Sequence, residues 1–225
     1  MLLPTRPNFR PLDPGSHETV GHDDGTGSKA PRVTATKILV VCTANRCRSP
    51  VAAAILALEA RRRGLDVTVD SAGLLPGGQR VPADGLRVGA ELGLELRAHR
   101  SSMVQRPDLT GADLIVTMSR EHARTLVAQE PTVWPRIFTL KQLSRWLEDQ
   151  LAAEPAPGHA DLRSWLEVVG EDRDRRELLG RRLEDDILDP FEQSLEVWRN
   201  VAAEIRDHCL TALELSLPLF RPLRR

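Results

Sequence analysis

Cys42 and Arg48 stand at the two ends of the most chemically suggestive stretch of the chain, Val41-Cys42-Thr43-Ala44-Asn45-Arg46-Cys47-Arg48-Ser49-Pro50. Cysteines that face helix-start N–H groups beside a cation are ionised at neutral pH and make strong nucleophiles. The residues from Thr43 to Arg48 suffice to curl around one tetrahedral oxyanion, with backbone N–H groups turned inward as a nest. Arg48 closes the curl, and its planar fork suits two oxygens of one phosphoryl group. Ser49 is expected both to cap a helix and to donate its hydroxyl to the Cys42 sulfur. Asn45 is one of the few residue types that tolerate the left-handed backbone such a loop demands. The C-x5-R spacing alone arises often by chance, as a buried cysteine and a surface arginine. The Ser-Pro pair and the flanking elements favour the anion-binding loop.

Those elements follow a βα pattern. Ile38-Leu39-Val40-Val41 is an unbroken apolar run, as expected of a strand buried on both faces. Ser49-Pro50 opens a helix over Val51 to Arg63, with Gly64 just past its end. Val67 to Ser71, Asp113 to Met118 and Arg136 to Leu140 read as further strands. A helix is expected near Pro82 to Leu94, and another is capped by Ser119. Strands alternating with helices predict an α/β fold with a parallel sheet covered on both faces, its phosphate-binding loop following strand 1. A strand-to-helix turn of this kind is where such folds bind anions.

The ends and the middle read differently. Residues 1–34 hold five prolines and four glycines without periodicity, which predicts a disordered arm. One domain is expected over 35–215, with a helical insertion at about 142–186 acting as a lid or docking element, and a short tail over 216–225. Glu171 to Asp186, dense in both charge signs, reads as a solvated helical face. Glu192 to Leu213 reads as a long amphipathic helix. With 31 basic and 32 acidic residues among 225, no global field points to nucleic acid or an anionic membrane. No apolar stretch approaches the roughly 20 residues of a bilayer span. Three cysteines without a secretory leader predict a cytoplasmic chain with reduced thiols.

The stretch VCTANRCRSP resembles the phosphate-binding loop V-C-x-G-N-x-C-R-S-P of the low-molecular-weight protein-tyrosine phosphatases of bacterial type. Asp70-Ser71-Ala72-Gly73, His99-Arg100-Ser101, Val116-Thr117-Met118-Ser119-Arg120-Glu121-His122 and Asp189-Pro190-Phe191 extend the resemblance over residues 37–213. It implies a four-stranded parallel sheet and two-step phosphomonoester hydrolysis. Cys42 would form a cysteinyl-phosphate, while Arg48 and the loop residues Thr43, Ala44, Asn45, Arg46, Cys47 and Ser49 hold the phosphoryl oxygens. Asp189 would be the general acid, ahead of Asp185 and Asp186 because Pro190 restricts its backbone. Phe191 would form the substrate wall. No metal or other cofactor is required, since amides and Arg48 supply the positive field. Tyrosine-phosphorylated protein is the expected partner. Cys47 is a candidate redox partner of Cys42, or else a small buried filler.

The sequence departs from the pattern at Ala44, a glycine in relatives, at Ala53, commonly Glu, and at Ser102 and Ser119, commonly Arg and Asp. Three alternatives share the scaffold. An arsenate reductase would need a small thiol, because no cysteine lies between residues 48 and 208 for an internal relay. A phosphoarginine hydrolase would meet the cation of Arg46 at the loop's mouth. A catalytically weak phosphoprotein-binding module has no reason to keep Cys42, Arg48 and Asp189 together.

Overall fold

In a computed structural model, residues 35–152, 161–179, 183–220 and 222 are described. The expected N-terminal arm, residues 153–160 and 180–182 of the expected insertion, and most of the last few tail residues lie outside them. Four strands, β1 (Thr36–Cys42), β2 (Val67–Gly73), β3 (Leu114–Thr117) and β4 (Ile137–Thr139), form one sheet in the order β2-β1-β3-β4. All pairings are parallel. The apolar run of β1 is buried throughout, and its residues alternate between two apolar clusters. Ile38, Val40 and Cys42 face helices α1 (Arg48–Arg62), α5 (Leu140–Ala152) and α7 (Leu195–Ser216). Leu39 and Val41 face the side built from α3 (Arg106–Gly111), α4 (Arg120–Gln129) and the turn at Val133-Trp134. The remaining helices, α2 (Ala83–Glu91) and α6 (Leu162–Val169), join the first cluster through Val88 and Trp165.

Helix ends follow local chemistry. Gly64, at φ +66°, ends α1 while Leu65 N–H bonds back to Ala60 and Gly64 N–H to Arg61, closing the exposed carbonyls. Ser119 caps α4 as expected, accepting from His122 N–H. Helix α7 begins at Leu195 rather than Glu192, because Ser194 accepts from Val197 N–H and the preceding residues turn as a loop. Its buried stripe, Trp198, Val201, Ile205, Cys209 and Ala212, has the helical period and lies against α1 and α5. The short helix α3 has no counterpart in the expected elements. Its signal is a capping box between Gln105 and Asp108 with proline in the first turn, too brief for a periodic pattern to register.

The segment expected as an appended insertion is woven into the core. Leu143, Leu147, Leu162, Trp165 and Leu166 are all buried in the larger apolar cluster. The charged run from Glu171 is mostly exposed, as expected, but among the described residues it is not a helical face. Two short 3₁₀ turns replace the helix, and both Arg173 and Asp185 are buried. Arg173 lies with its guanidinium 3.7 Å from the centre of the Phe138 ring and 4.6 Å from that of Trp134, donating to the Ile137 carbonyl at 2.8 Å. Burial lowers its pKa to about 10. Cation–π attraction of this desolvated kind contributes about 2 kcal/mol or more, and it ties the segment to the end of β4.

Candidate active site

The loop after β1 is shaped by Asn45 and by a glycine from the neighbouring strand. Asn45 sits at φ +51°, the left-handed region anticipated for it. Its amide nitrogen donates to Ser49 Oγ at 3.0 Å and Ser71 Oγ at 2.9 Å, and its Oδ1 accepts from Ser102 N–H at 2.9 Å. The Asn45 carbonyl lies 2.8 Å from His99 Nε2; a carbonyl only accepts, so that nitrogen carries the proton. Gly73, the last residue of β2, runs so close beneath the loop that a Cβ there would lie 2.8 Å from Ala44 C and Asn45 N. Ala44 does not share the positive φ of its neighbour, so replacing glycine there adds no left-handed strain. Ser102 meets the loop through its backbone, so its exchange for the usual arginine leaves that bond in place. Ala53 packs in the apolar cluster.

Ser49 does one of its two expected tasks. Helix α1 starts at Arg48, with Cys47 at the N-cap and no side-chain cap. The Ser49 hydroxyl turns instead toward the Cys42 sulfur at 3.0 Å. Asn45 donates into Ser49 Oγ, and the hydroxyl proton faces two acceptors, the Cys42 sulfur at 3.0 Å and the more distant Ala72 carbonyl at 3.4 Å. The first-turn amides of α1 thus keep their positive field toward the loop.

Arg48 is 6% exposed, and its donors bring a distant segment to the loop. Nη1 donates to the Ile187 carbonyl at 3.0 Å, while Nη2 donates to Thr43 Oγ1 at 3.2 Å and Asp189 Oδ2 at 2.5 Å. The three neighbouring aspartates are thereby told apart. Asp185, fully buried, is clamped by Arg120 and Arg145. Asp186 accepts from Arg120 N–H at 2.8 Å. Asp189 alone of the three reaches the loop, with its side chain 46% exposed. Its Oδ1 also accepts from Phe191 N–H at 3.2 Å, turning the chain so that Phe191 stands at the mouth, 40% exposed. The Arg46 guanidinium lies 4.9 Å over that ring and donates from Nε to the Arg80 carbonyl at 3.3 Å.

Two further groups complete the surroundings. His122 Nε2 lies 2.9 Å from Thr43 Oγ1. Burial, with Arg48 adding repulsion, lowers the pKa of this histidine to about 4, so the ring is neutral near pH 7. Thr43 also accepts from Arg48, so its hydroxyl joins the histidine to that arginine. The sequence stretch ending in His122 was visible, yet no spacing rule connects residue 122 to residue 43. Cys47 is buried, and burial followed by Asp189 and Cys42 raises its pKa to about 12, keeping it a thiol. Cys209 lies buried in α7, away from any exposed relay position. Among the described residues, no group of three or more His, Cys, Asp or Glu is placed to hold a metal, and no helix is long and apolar enough to cross a membrane.

Comparison with known proteins agrees with this arrangement. The family model for low molecular weight phosphotyrosine protein phosphatase matches residues 37–168. A protein-arginine-phosphatase of Geobacillus stearothermophilus is 34% identical over 148 residues, 65% of this chain and 93% of the relative. The low molecular weight protein-tyrosine-phosphatase Etp of Escherichia coli K12 is 35% identical over 120 residues, 52% of this chain and 76% of the relative. Among solved structures, the low molecular weight protein tyrosine phosphatase from T. tengcongensis superposes with a TM-score of 0.59 at 28% identity, covering 80% of this chain and 98% of the other. The YwlE arginine phosphatase from Geobacillus stearothermophilus gives 0.58 at 27% identity, covering 81% and 94%. A match over more than half its length, on a loop of this build, makes the chain a member of the low molecular weight phosphotyrosine protein phosphatase family and a cysteine-dependent phosphatase.

Proposed function

We propose that the chain removes phosphate from phosphotyrosine in proteins through a cysteinyl-phosphate intermediate, with Cys42, Arg48 and Asp189 as the catalytic groups. The observation that carries the reading is the meeting of Cys42, its serine partner at 3.0 Å, and an arginine that holds Asp189 at 2.5 Å on one loop. Cys42 sulfur attacks phosphorus as the bond to the leaving oxygen breaks, and Asp189 gives that oxygen a proton. Arg48 and the amides of residues 43–49 meet the charge on the three equatorial oxygens. Asp189 then takes a proton from water as it attacks phosphorus, and the Ser49 hydroxyl stabilises the departing thiolate.

Phosphoarginine is the second reading, favoured by the names of two relatives. The position of Arg46 opposes it: a guanidinium already covers Phe191, so a cationic substrate group would arrive against like charge. Turnover of p-nitrophenyl phosphate, a phosphotyrosine peptide and a phosphoarginine peptide, alongside arsenate reduction with small thiols, separates the readings. Phosphotyrosine is expected to lead. Cys42→Ser should lower turnover on the order of 10⁶-fold, as removal of a nucleophile does elsewhere, and Arg48→Lys should also fail because a point charge cannot grip two oxygens. Retained activity in Cys42→Ser, or a clear lead for phosphoarginine or arsenate, overturns the proposal. Cys47 enters as a redox partner: peroxide converts Cys42 to a sulfenic acid, and the Cys47 thiol displaces water to give a disulfide. A Cys42–Cys47 linked peptide after peroxide treatment, with poorer recovery of Cys47→Ser, is the expected result.

A further inference from the structure

The segments beside the mouth of the loop carry arginines without carboxylate partners. Arg46 donates to the Arg80 carbonyl at 3.3 Å, so residue 80 borders the mouth. Ser101 N–H donates to the Gln79 carbonyl at 2.8 Å, and Gly78 N–H to the Ser101 carbonyl at 2.7 Å, laying residues 78–80 beside residues 99–101. His99 in turn bonds the Asn45 carbonyl. Arg80, Arg97 and Arg100 are exposed on these segments. Arg100 folds back on the carbonyls of His99 and Arg97, so residues 97 and 100 share one turn next to His99. Among the described residues, none of these three nor Arg46 is in an ion pair. Elsewhere Arg62, Arg63, Arg163 and Arg199 each face a glutamate. The carboxylates nearest in sequence, Asp84 and Glu95, pair with none of the four.

A chain with a net charge of −1 that leaves four arginines uncompensated along one side of its site has a local field that the whole-chain balance conceals. We infer that Arg46, Arg80, Arg97 and Arg100 form a specificity rim that selects phosphopeptides with anionic groups, carboxylate or a second phosphate, flanking the phosphorylated residue. The inference rests on the phosphatase reading for its substrate but acts through binding, outside the reacting atoms. The planar forks of arginine suit either anion. Each exposed pair contributes modestly, so several together give a preference of roughly three- to thirtyfold.

The test compares three phosphotyrosine peptides, flanked by alanine, by aspartate and glutamate, or by a second phosphotyrosine. For each, kcat/KM is measured on the full chain, and affinity is measured on Cys42→Ser by fluorescence anisotropy. The anionic peptides should lead, chiefly through KM, and the lead should collapse near 1 M salt, where screening acts within about 3 Å. Carrying Arg80→Gln, Arg97→Gln and Arg100→Gln together should abolish the lead while p-nitrophenyl phosphate turnover stays unchanged. Comparison of the two anionic peptides shows whether carboxylate or phosphate is preferred. Equal affinities of the three peptides on Cys42→Ser overturn the rim, as does competition by a short oligonucleotide as effective as the acidic peptide. Absence of p-nitrophenyl phosphate turnover in the unaltered chain would instead defeat the phosphatase reading, and the affinities would still decide the rim.

Discussion

The loop at residues 42–49 and the segment at residues 183–191 meet at Arg48, yet they are held by different forces. The loop is fixed by backbone geometry and short neutral hydrogen bonds to adjacent strand ends: Asn45 at positive φ, Gly73 beneath it, Ser49 and Ser71 around it. The segment bearing Asp189 has no regular structure beyond a short turn. It is pinned by charge instead, Asp185 between Arg120 and Arg145 and Asp186 on Arg120 N–H, with the Ile187 amide on the Met118 carbonyl. The difference teaches how such a site divides its tasks. The oxyanion cradle needs fixed amides, since preorganised dipoles do the stabilising. The acid must face both the loop and the solvent that supplies water, and ion pairs anchor its segment while leaving Asp189 half exposed.

Breaking the acid segment at its tip should have the largest effect on chemistry. Asp189→Asn should lower kcat by about 10²–10⁴-fold, with a steeper loss for phosphotyrosine than for p-nitrophenyl phosphate, whose leaving group is less basic. Equal losses on both substrates would mean that Asp189 is not the acid. Breaking the anchor instead of the tip tests whether charge really holds the segment. Asp185→Ala leaves two arginines facing a vacated carboxylate position, and with Arg120 buried it should cost about 3–5 kcal/mol of stability by denaturant titration. If the variant is as stable as the parent, the ion pairs are not what pins residues 183–191.

The loop side gives smaller effects. The unfolded His122 ring binds a proton near pH 6.5 and the folded one only near 4. Between those values the unfolded chain holds the extra proton, so stability falls as pH drops through this window, by roughly 3 kcal/mol, and is fully present above it. His122→Asn should flatten that part of the stability curve while other acid-sensitive groups still act. A curve unchanged by the substitution would show that His122 is not titrating there. Ser49→Ala removes one hydroxyl from the Cys42 sulfur and should lower turnover by about 2- to 10-fold, in line with the net contribution of a single hydrogen bond. A loss as large as that from Asp189→Asn would place Ser49 on a par with the acid and erase the contrast between the two regions.

Much of the loop was legible because its parts are contiguous. The left-handed place of Asn45, the strand before it and the helix after it all follow from neighbouring residues, and local sterics act over the same range. The misjudged details were those where a tertiary partner competed. Ser49 has the composition of a helix cap, but the Cys42 sulfur and Asn45 claim its hydroxyl. The charged run after Glu171 has the composition of a solvated face, but it fills an aromatic slot with Arg173 and a buried ion pair with Asp185.

Sequence by itself determined the strand–helix alternation, the oxyanion-sized loop with its cysteine and arginine, and the family resemblance carried by motifs in order. Tertiary structure alone decided what holds Asp185 and Asp186 while Asp189 meets Arg48, that His122 reaches Thr43 from helix α4, and that Arg46 lies over Phe191. The physical reason is separation along the chain. Hydrophobic period, backbone φ and helix ends are set by residues a few positions apart. Pairing across 141 positions, as between Arg48 and Asp189, depends on how a parallel sheet brings the ends of its strands to one edge.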